Sequence, residues 1–160
     1  MSSVVMRNQE KLMSLILDDA QIRPDLFLWN GAIDSTRLWA WLSERNLSIP
    51  NDLFDFLLLT GGGNVFETED LLGPFGSKEL GEDFDSVNSI HRSRGLPDNL
   101  LLFHIGLGIS AIQISEGLYV SCRESDYSIE HKFQTMEDWY RCTIRREYCG
   151  RYGLPPVQSA

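Results

Sequence analysis

The hydrophobic pattern of this chain changes along its length. Up to about residue 97 most apolar residues recur at the three- and four-residue spacing of amphipathic helices, whereas from residue 100 to residue 133 they recur at every second position. Helices followed by consecutive strands and then by another helix favour an α+β layer structure over alternating strand–helix–strand units. We therefore predict one α+β domain over residues 1–150, followed by a loose tail over residues 151–160.

The predicted helices have recognisable ends. Asp34 or Ser35 suits the N-cap of the second helix, and Pro50 suits the first position of the third. The glycines at 61–63 allow the chain to leave that helix through positive φ and to turn directly into a strand. Thr135 and Asp138 resemble a capping box at the start of the last helix. The helical segments are residues 4–20, 35–42, 50–60, 84–94 and 135–148.

Strands are predicted where the period is two. Leu100–Ile105 is typical of a central strand, and alternation is clearest over residues 127–133. Residues 106–111 spell G-x-G-x-x-A, a dinucleotide-binding pattern, but strand alternation follows where that motif requires a helix, so we interpret them as a hairpin turn. The other strand candidates are residues 64–67, 112–115 and 118–122, and residues 71–81 are interpreted as a loop.

Charge excludes several classes of partner. Lys and Arg number 14 against 23 Asp and Glu, which gives a formal net charge of -9. This balance repels nucleic-acid phosphates and anionic lipid, and it attracts a cationic partner. The apolar runs are far shorter than the roughly 20 residues that span a bilayer. We therefore expect neither nucleic acid nor membrane as the main partner.

An acidic segment is the most suggestive functional feature. Its carboxylates can form a solvated loop that keeps the protein soluble, or an anionic surface that binds a basic protein, and both interpretations stay open. Trp39 lies off the main apolar stripe of its helix and is a candidate surface contact, whereas Trp41 and Trp139 are predicted core residues. The candidate partner-binding residues are Glu67, Glu69, Asp70, Glu79, Glu82, Asp83, Asp85 and Trp39.

Catalytic and metal-binding patterns are weak. The three histidines are scattered, and no His or Cys spacing typical of a zinc site is present, so no metal or cofactor is expected. Cys122 and His131 could meet across adjacent strands as nucleophile and base. Cys142 and Cys149 lie near one face of the last helix. A low, odd cysteine count and the lack of a secretory pattern in residues 1–10 favour a cytoplasmic location.

Short motifs follow one another in a distinctive order. IPNDLFDFL (residues 49–57) joins a proline to a short apolar helix, TGGG (60–63) is a glycine turn, strands follow over residues 100–133, and FQTMEDW (133–139) opens the last helix. This order resembles the SUKH superfamily, which includes fungal Smi/Knr cell-wall regulators and many bacterial immunity proteins. The resemblance covers residues 34–148. Thr60 stands where asparagine is usual, and residues 71–93 match no family element.

The resemblance implies a fold and a role. The fold is α+β, with N-terminal helices and a C-terminal helix packed on a mainly antiparallel sheet of about five or six strands. The role is non-enzymatic, and we expect an immunity protein that neutralises a cognate toxin, with a basic toxin domain as partner. A regulatory or scaffold protein of the Smi/Knr type is the alternative, and a small enzyme that uses Cys122 stays open.

Overall fold

A computed structural model describes residues 15–77 and 79–156 of the chain. The first helix, α1, occupies residues 15–22 of the described part, and residues 4–14 of the predicted helix 4–20 lie outside it. The other helices are α2 Ser35–Glu44, α3 Asn51–Thr60, α4 Phe84–Ser93, α5 Met136–Cys142 and α6 Ile144–Tyr148, and a 3-10 turn covers Pro24–Leu26. The strands are β1 Phe27–Trp29, β2 Gly63–Val65, β3 Glu69–Leu71, β4 Leu100–Ile105, β5 Ile109–Gln113, β6 Leu118–Cys122 and β7 Ile129–Phe133.

The strands form an antiparallel meander. Within residues 15–77 and 79–156 the sheet has seven strands in the order β1-β2-β3-β4-β5-β6-β7, and each pairs antiparallel with its neighbour in sequence. The α+β prediction is therefore confirmed. The strand count exceeds the predicted five or six because β1 and β3 were not predicted; each has three residues and becomes a strand through its pairing with neighbouring strands.

Local capping explains why the helices begin and end where the sequence predicts. The Asp34 side chain accepts a hydrogen bond from the Arg37 N–H, and Thr135 Oγ1 accepts one from Asp138. Gly61 ends α3 in the left-handed conformation at φ 71°, and β2 begins two residues later. The predicted last helix is instead divided into α5 and α6, because Thr143 has φ -112° and ψ -93°.

Side-chain amides and carboxylates fasten the helices to the sheet. β3 pairs with β4 only at His104 and Ile105, so Leu102 has no strand neighbour on that side. Asn88 of α4 fills the gap, since it accepts from the Leu102 N–H at 2.7 Å and donates to the Leu102 carbonyl at 3.1 Å. Asp52 of α3 accepts from the Tyr119 hydroxyl and from the Met136 N–H, which joins α3 to β6 and α5.

The core and the chain end differ in how well the sequence anticipated them. Trp41 and Trp139 are buried, as predicted. The expected loose tail is wrong for the described residues that follow 150, because Leu154 is buried, the Tyr152 carbonyl accepts from Arg23, and the Pro155 carbonyl accepts from Arg145. Arg23 and Tyr152 are more than a hundred positions apart, and no local sequence pattern predicts a contact at that separation. Residues 157–160 lie outside the described part.

Candidate functional site

The hairpin turns at residues 66–68, 106–108 and 123–128 lie at one end of the sheet. They share that end because β2, β4 and β6 run in the same direction in an antiparallel meander. We call it the hairpin end. A cleft of about 220 Å³ opens there, between the 106–108 turn, the β6–β7 hairpin and the junction of α5 with α6. Its lining consists of Glu69, His104, Leu107, Gly108, Ile109, Ser110, Ser121, Cys122, Glu130, Thr143, Ile144, Glu147 and Tyr148.

A chain of buried hydrogen bonds forms the floor of this cleft. Trp139 Nε1 lies 2.9 Å from Ser110 Oγ, which lies 2.9 Å from His104 Nδ1. His104 Nε2 lies 2.9 Å from Glu69 Oε1. The indole N–H only donates and the Glu69 carboxylate only accepts, so Ser110 Oγ accepts from Trp139 and His104 Nε2 donates to Glu69.

Glu69 is the end point of the chain and is held as a carboxylate. It accepts further hydrogen bonds from the Thr68 hydroxyl at 2.8 Å, the Tyr148 hydroxyl at 3.1 Å and the Leu107 N–H at 3.2 Å. Burial raises the pKa of Glu69, but the hydrogen bonds from His104 and Thr68 outweigh it, and the pKa lies below its usual value. Glu69 thereby joins β3 to the 106–108 turn and to α6.

Gly106 makes room for this carboxylate. A Cβ atom at residue 106 would lie 2.1 Å from Glu69 Oε1, far inside van der Waals contact. The first glycine of the G-x-G-x-x-A pattern therefore lets the turn close over a buried side chain. The interpretation as a hairpin turn is confirmed for residues 106–108, which join β4 to β5, whereas residues 109–111 already belong to β5.

The network has the residue types of a Ser-His-Glu triad but is arranged for support. Ser110 is 2 % exposed, and its oxygen already accepts from Trp139. The Leu107 N–H, a backbone donor near these hydrogen-bonded side chains, is directed at Glu69. An oxyanion hole requires donors aimed at the position of a reacting oxygen. The arrangement therefore suits the fixing of two strands, a turn and a helix in one geometry.

The mouth of the cleft combines apolar and acidic groups. Ile109, Cys122 and Ile144 form buried walls, whereas Leu107 is 68 % exposed at the rim. Glu130 and Glu147 are exposed beside it. The lining residues include no lysine or arginine. The cleft thus presents negative charge around an apolar interior.

The predicted acidic surface is divided by the fold. The prediction is wrong for Glu69 and Asp83, which are 1 % and 2 % exposed. Asp83 is buried because it caps α4, where it accepts from the Ser86 N–H at 2.9 Å. The remaining predicted acids keep some exposure: Glu67 lies at the hairpin end, Asp70 in β3, and Glu79, Glu82 and Asp85 in the segment from the following loop into α4.

Two of these acids interact with other charges. Asp85 accepts from Arg45 Nε at 2.9 Å and from Nη2 at 2.6 Å, so its charge is partly balanced within the chain. Partial burial raises the pKa of Glu82, and the neighbouring charge of Asp70 adds to the effect. Asp70 itself accepts from the Asn64 amide at 3.0 Å.

Trp39 lies on a different exposed region. It is 59 % exposed, as predicted for a surface residue, and its ring lies 4.7 Å from that of Phe54 on α3. On the opposite flank of α2, Arg37 lies over the Phe75 ring at 3.7 Å and Arg45 over Trp41 at 4.2 Å. We call the two flanks of α2, which carry Trp39 on one side and Arg37 and the Arg45–Asp85 pair on the other, the α2 face.

The cysteines are not arranged as the enzyme hypothesis requires. His131 pairs with Ser121 across the sheet, and Cys122 pairs with Ile129. Cys122 is buried, and burial together with the nearby charge of Glu130 raises the pKa of its thiol to about 11. An activated cysteine needs a lowered pKa. Cys142 is exposed on α5, and Cys149 lies beyond the end of α6, so the break at Thr143 removes their predicted shared helix face.

The described part of the chain has neither a metal-binding cluster nor a membrane-spanning helix. Within residues 15–77 and 79–156, no group of three or more His, Cys, Asp or Glu side chains is placed to hold a metal ion. Every helix in this part of the chain is too short or too polar to cross a lipid bilayer. No protein-family model matches the chain, and no curated protein matches it.

The hairpin-end site was not found from the sequence. His104 and Ser110 lie within strands and carry no spacing motif, and the partners of Glu69 other than Thr68 are separated from it by 35 to 79 residues. The glycine pair at 106 and 108 was the one local signal, since a glycine inside a strand–turn pattern marks a close approach of another group.

Proposed function

We propose that this chain is a non-enzymatic binding protein, and specifically an immunity protein that neutralises a basic toxin domain by stoichiometric binding at the hairpin end. The observation that carries the proposal is the composition of the cleft, which has Glu69, Glu130 and Glu147 in its lining and no lysine or arginine. A cleft of one charge sign concentrates field lines and attracts partners of the opposite sign.

The rim supports binding to a macromolecule. Leu107 is 68 % exposed at the tip of a turn that the Glu69 hydrogen bonds hold in place. Interfaces are commonly organised around a rigid apolar contact with polar groups at its margin. The overall charge of -9 acts in the same direction as the cleft, because it accelerates encounters with a basic protein.

The choice of a toxin as partner is supported by the sequence resemblance. The motifs at residues 49–57, 60–63 and 133–139 resemble those of the SUKH superfamily, in which many bacterial immunity proteins occur. The raised pKa of the buried Cys122 thiol favours binding over cysteine catalysis.

Affinity capture followed by a growth assay tests this function. Tagged protein is used to capture a partner from its source lysate at low and moderate salt, and the captured domain is then expressed alone and together with this chain. We expect the domain to stop growth alone and the chain to restore it. A captured partner that is harmless when expressed alone contradicts the toxin assignment and supports a regulatory role of the Smi/Knr type.

Matched variants tie the function to the surface. Leu107→Lys changes the rim, and Leu80→Lys makes the same change at a leucine that is 72 % exposed in the loop before α4. We expect Leu107→Lys to lose protection in the growth assay and Leu80→Lys to keep it. Equal protection by both variants contradicts the placement of the interface at the hairpin end.

A further inference from the structure

We infer that the hairpin-end cleft is a receptor for one cationic side chain, a lysine or arginine that the protein partner inserts between Glu130 and Glu147. The inference rests on the proposed function, because it names the chemistry of the group that the partner presents at that same site. It follows from the size of the cleft, its walls and the distribution of charge around it.

The cleft matches an extended side chain in size. At roughly 30 Å³ for each water-sized group, a volume of about 220 Å³ holds about seven such groups. An arginine side chain, with about seven non-hydrogen atoms, matches this volume, and a lysine side chain, with about five, occupies roughly two thirds of it. A helix or a strand is larger than the cleft, so the group that enters is a single side chain.

The walls match the stem of such a side chain. Ile109, Cys122 and Ile144 line the interior and are buried, so they offer apolar contact but little hydrogen bonding. Lysine and arginine bury their methylene stems along apolar surface and keep the charged head near polar groups.

The carboxylates around the cleft favour a positively charged occupant. Glu130 and Glu147 are exposed at the mouth, and Glu69 is held as a carboxylate at the floor. Glu130 acts on the interior, since its charge adds to burial in raising the pKa of Cys122. An anionic side chain in the cleft would lie beside carboxylates, and the lining has no lysine or arginine to pair with it. Nothing in the lining would therefore offset the free-energy cost of removing its charge from water.

A metal ion fits this site less well than an organic cation. The described residues hold no group of three or more ligating side chains at metal-binding positions. Glu69, one of the carboxylates, already accepts from His104, Thr68 and Leu107. What the cleft offers is apolar walls between carboxylates at its mouth and a carboxylate at its floor, which suits the methylene stem and the charged head of a lysine or arginine side chain.

Titration of the isolated protein with small probes tests the inference. The probes are n-butylammonium chloride and n-butylguanidinium chloride, with n-butanol as the neutral match and sodium chloride at equal ionic strength as the blank. We expect saturable amide chemical-shift changes at Leu107, Cys122 and Ile144 with at least one cation and much smaller ones with n-butanol. Equal responses to n-butanol overturn the inference, because the cleft would then be merely apolar. An absence of saturable changes with both cations overturns it as well.

Variants at the mouth sharpen the test. In the double variant Glu130→Gln, Glu147→Gln we expect binding of the cation to weaken about tenfold, because two ion-pair partners are removed. Glu79→Gln, an exposed acid in the loop before α4, is the matched control and should bind as the parent does. An unchanged affinity in the double variant overturns the inference. The titration contains no protein partner, so its failure is distinct from failure of the capture and growth assay.

Discussion

The hairpin end and the α2 face both contain acidic side chains from residues 67–85, but they use them differently. At the hairpin end Glu69 is buried and accepts hydrogen bonds from four residues. On the α2 face Asp85 is exposed and pairs with the partly exposed Arg45. The same residue type thus holds the fold together in one place and covers the surface in the other. Burial, rather than position in an acidic run, separates the two roles.

This difference sets how much each region tolerates change. Removal of a buried carboxylate leaves its hydrogen-bond donors unpaired. When one member of an exposed ion pair is removed, water takes its place as the partner of the other. The hairpin end can therefore vary its exposed residues, such as Leu107 and Glu147, on a floor that stays rigid. The α2 face has exposed aromatic and charged groups on a helix flank, with no comparable buried polar network among the residues described there.

The largest expected effect is on stability at the hairpin end. Glu69→Ala leaves the His104, Thr68 and Leu107 donors unpaired in the interior, and we expect it to lower the free energy of unfolding by about 3–5 kcal/mol. Glu67→Ala, two residues away and exposed, should change it by less than about 0.5 kcal/mol. Urea denaturation measures both, and equal losses would break the contrast between buried and exposed acids.

The next effect compares the two regions as binding surfaces. Leu107→Lys should weaken binding of the captured partner at least about tenfold, because a positive charge replaces an apolar contact and opposes the carboxylates that attract a basic partner. Trp39→Ala on the α2 face should weaken it less than about threefold. Isothermal titration calorimetry gives both affinities. The reverse order would move the interface to Trp39, where the sequence placed it.

A smaller effect separates two neighbouring acids of the predicted surface. Asp83→Ala removes the N-cap of α4 and should cost about 1 kcal/mol, whereas Asp85→Ala removes an exposed pair with Arg45 and should cost about 0.5 kcal/mol. Thermal denaturation of the two variants checks the order. A larger loss for Asp85→Ala would show that the exposed pair contributes more than the buried cap.

The smallest effect concerns pH. The folded-state pKa of Glu82 is raised, so its charge destabilises the fold at neutral pH, and stability is regained as pH falls through that pKa. Glu82→Gln should therefore be slightly more stable than the parent at pH 7 and equal to it near pH 4.

The matched variant at the hairpin end should behave in the opposite way. The folded-state pKa of Glu69 is lowered, so its contribution is present above about pH 4.3 and is lost as pH falls through the folded pKa. Glu69→Gln should therefore be less stable than the parent at pH 7, and the deficit should shrink in acid. Denaturant titrations at pH 7 and at acid pH measure the free energy of unfolding of both variants. If both variants differed from the parent in the same direction at pH 7, the assigned pKa directions would be contradicted.

Particular elements show why some of the structure was predictable. Asp34, Thr135 and Gly61 mark helix ends through hydrogen bonds or φ angles that involve residues within four positions. The strand Leu100–Ile105 was predicted with its observed bounds, since a six-residue apolar run is long enough to recognise. The three-residue strands β1 and β3 were missed, because they are strands only through pairing with β2 and β4.

The sequence by itself therefore determined the α+β class, the helix ends at Asp34, Gly61 and Thr135, and the central meander, because each of these depends on local periodicity, capping or backbone freedom. Only the tertiary structure decided that Glu69 and Asp83 leave the acidic surface and that Glu69, His104, Ser110 and Trp139 meet under one cleft. The physical reason is that burial and hydrogen bonding between distant residues depend on which elements pack together. That packing is settled by the whole core, and no spacing along the chain records it.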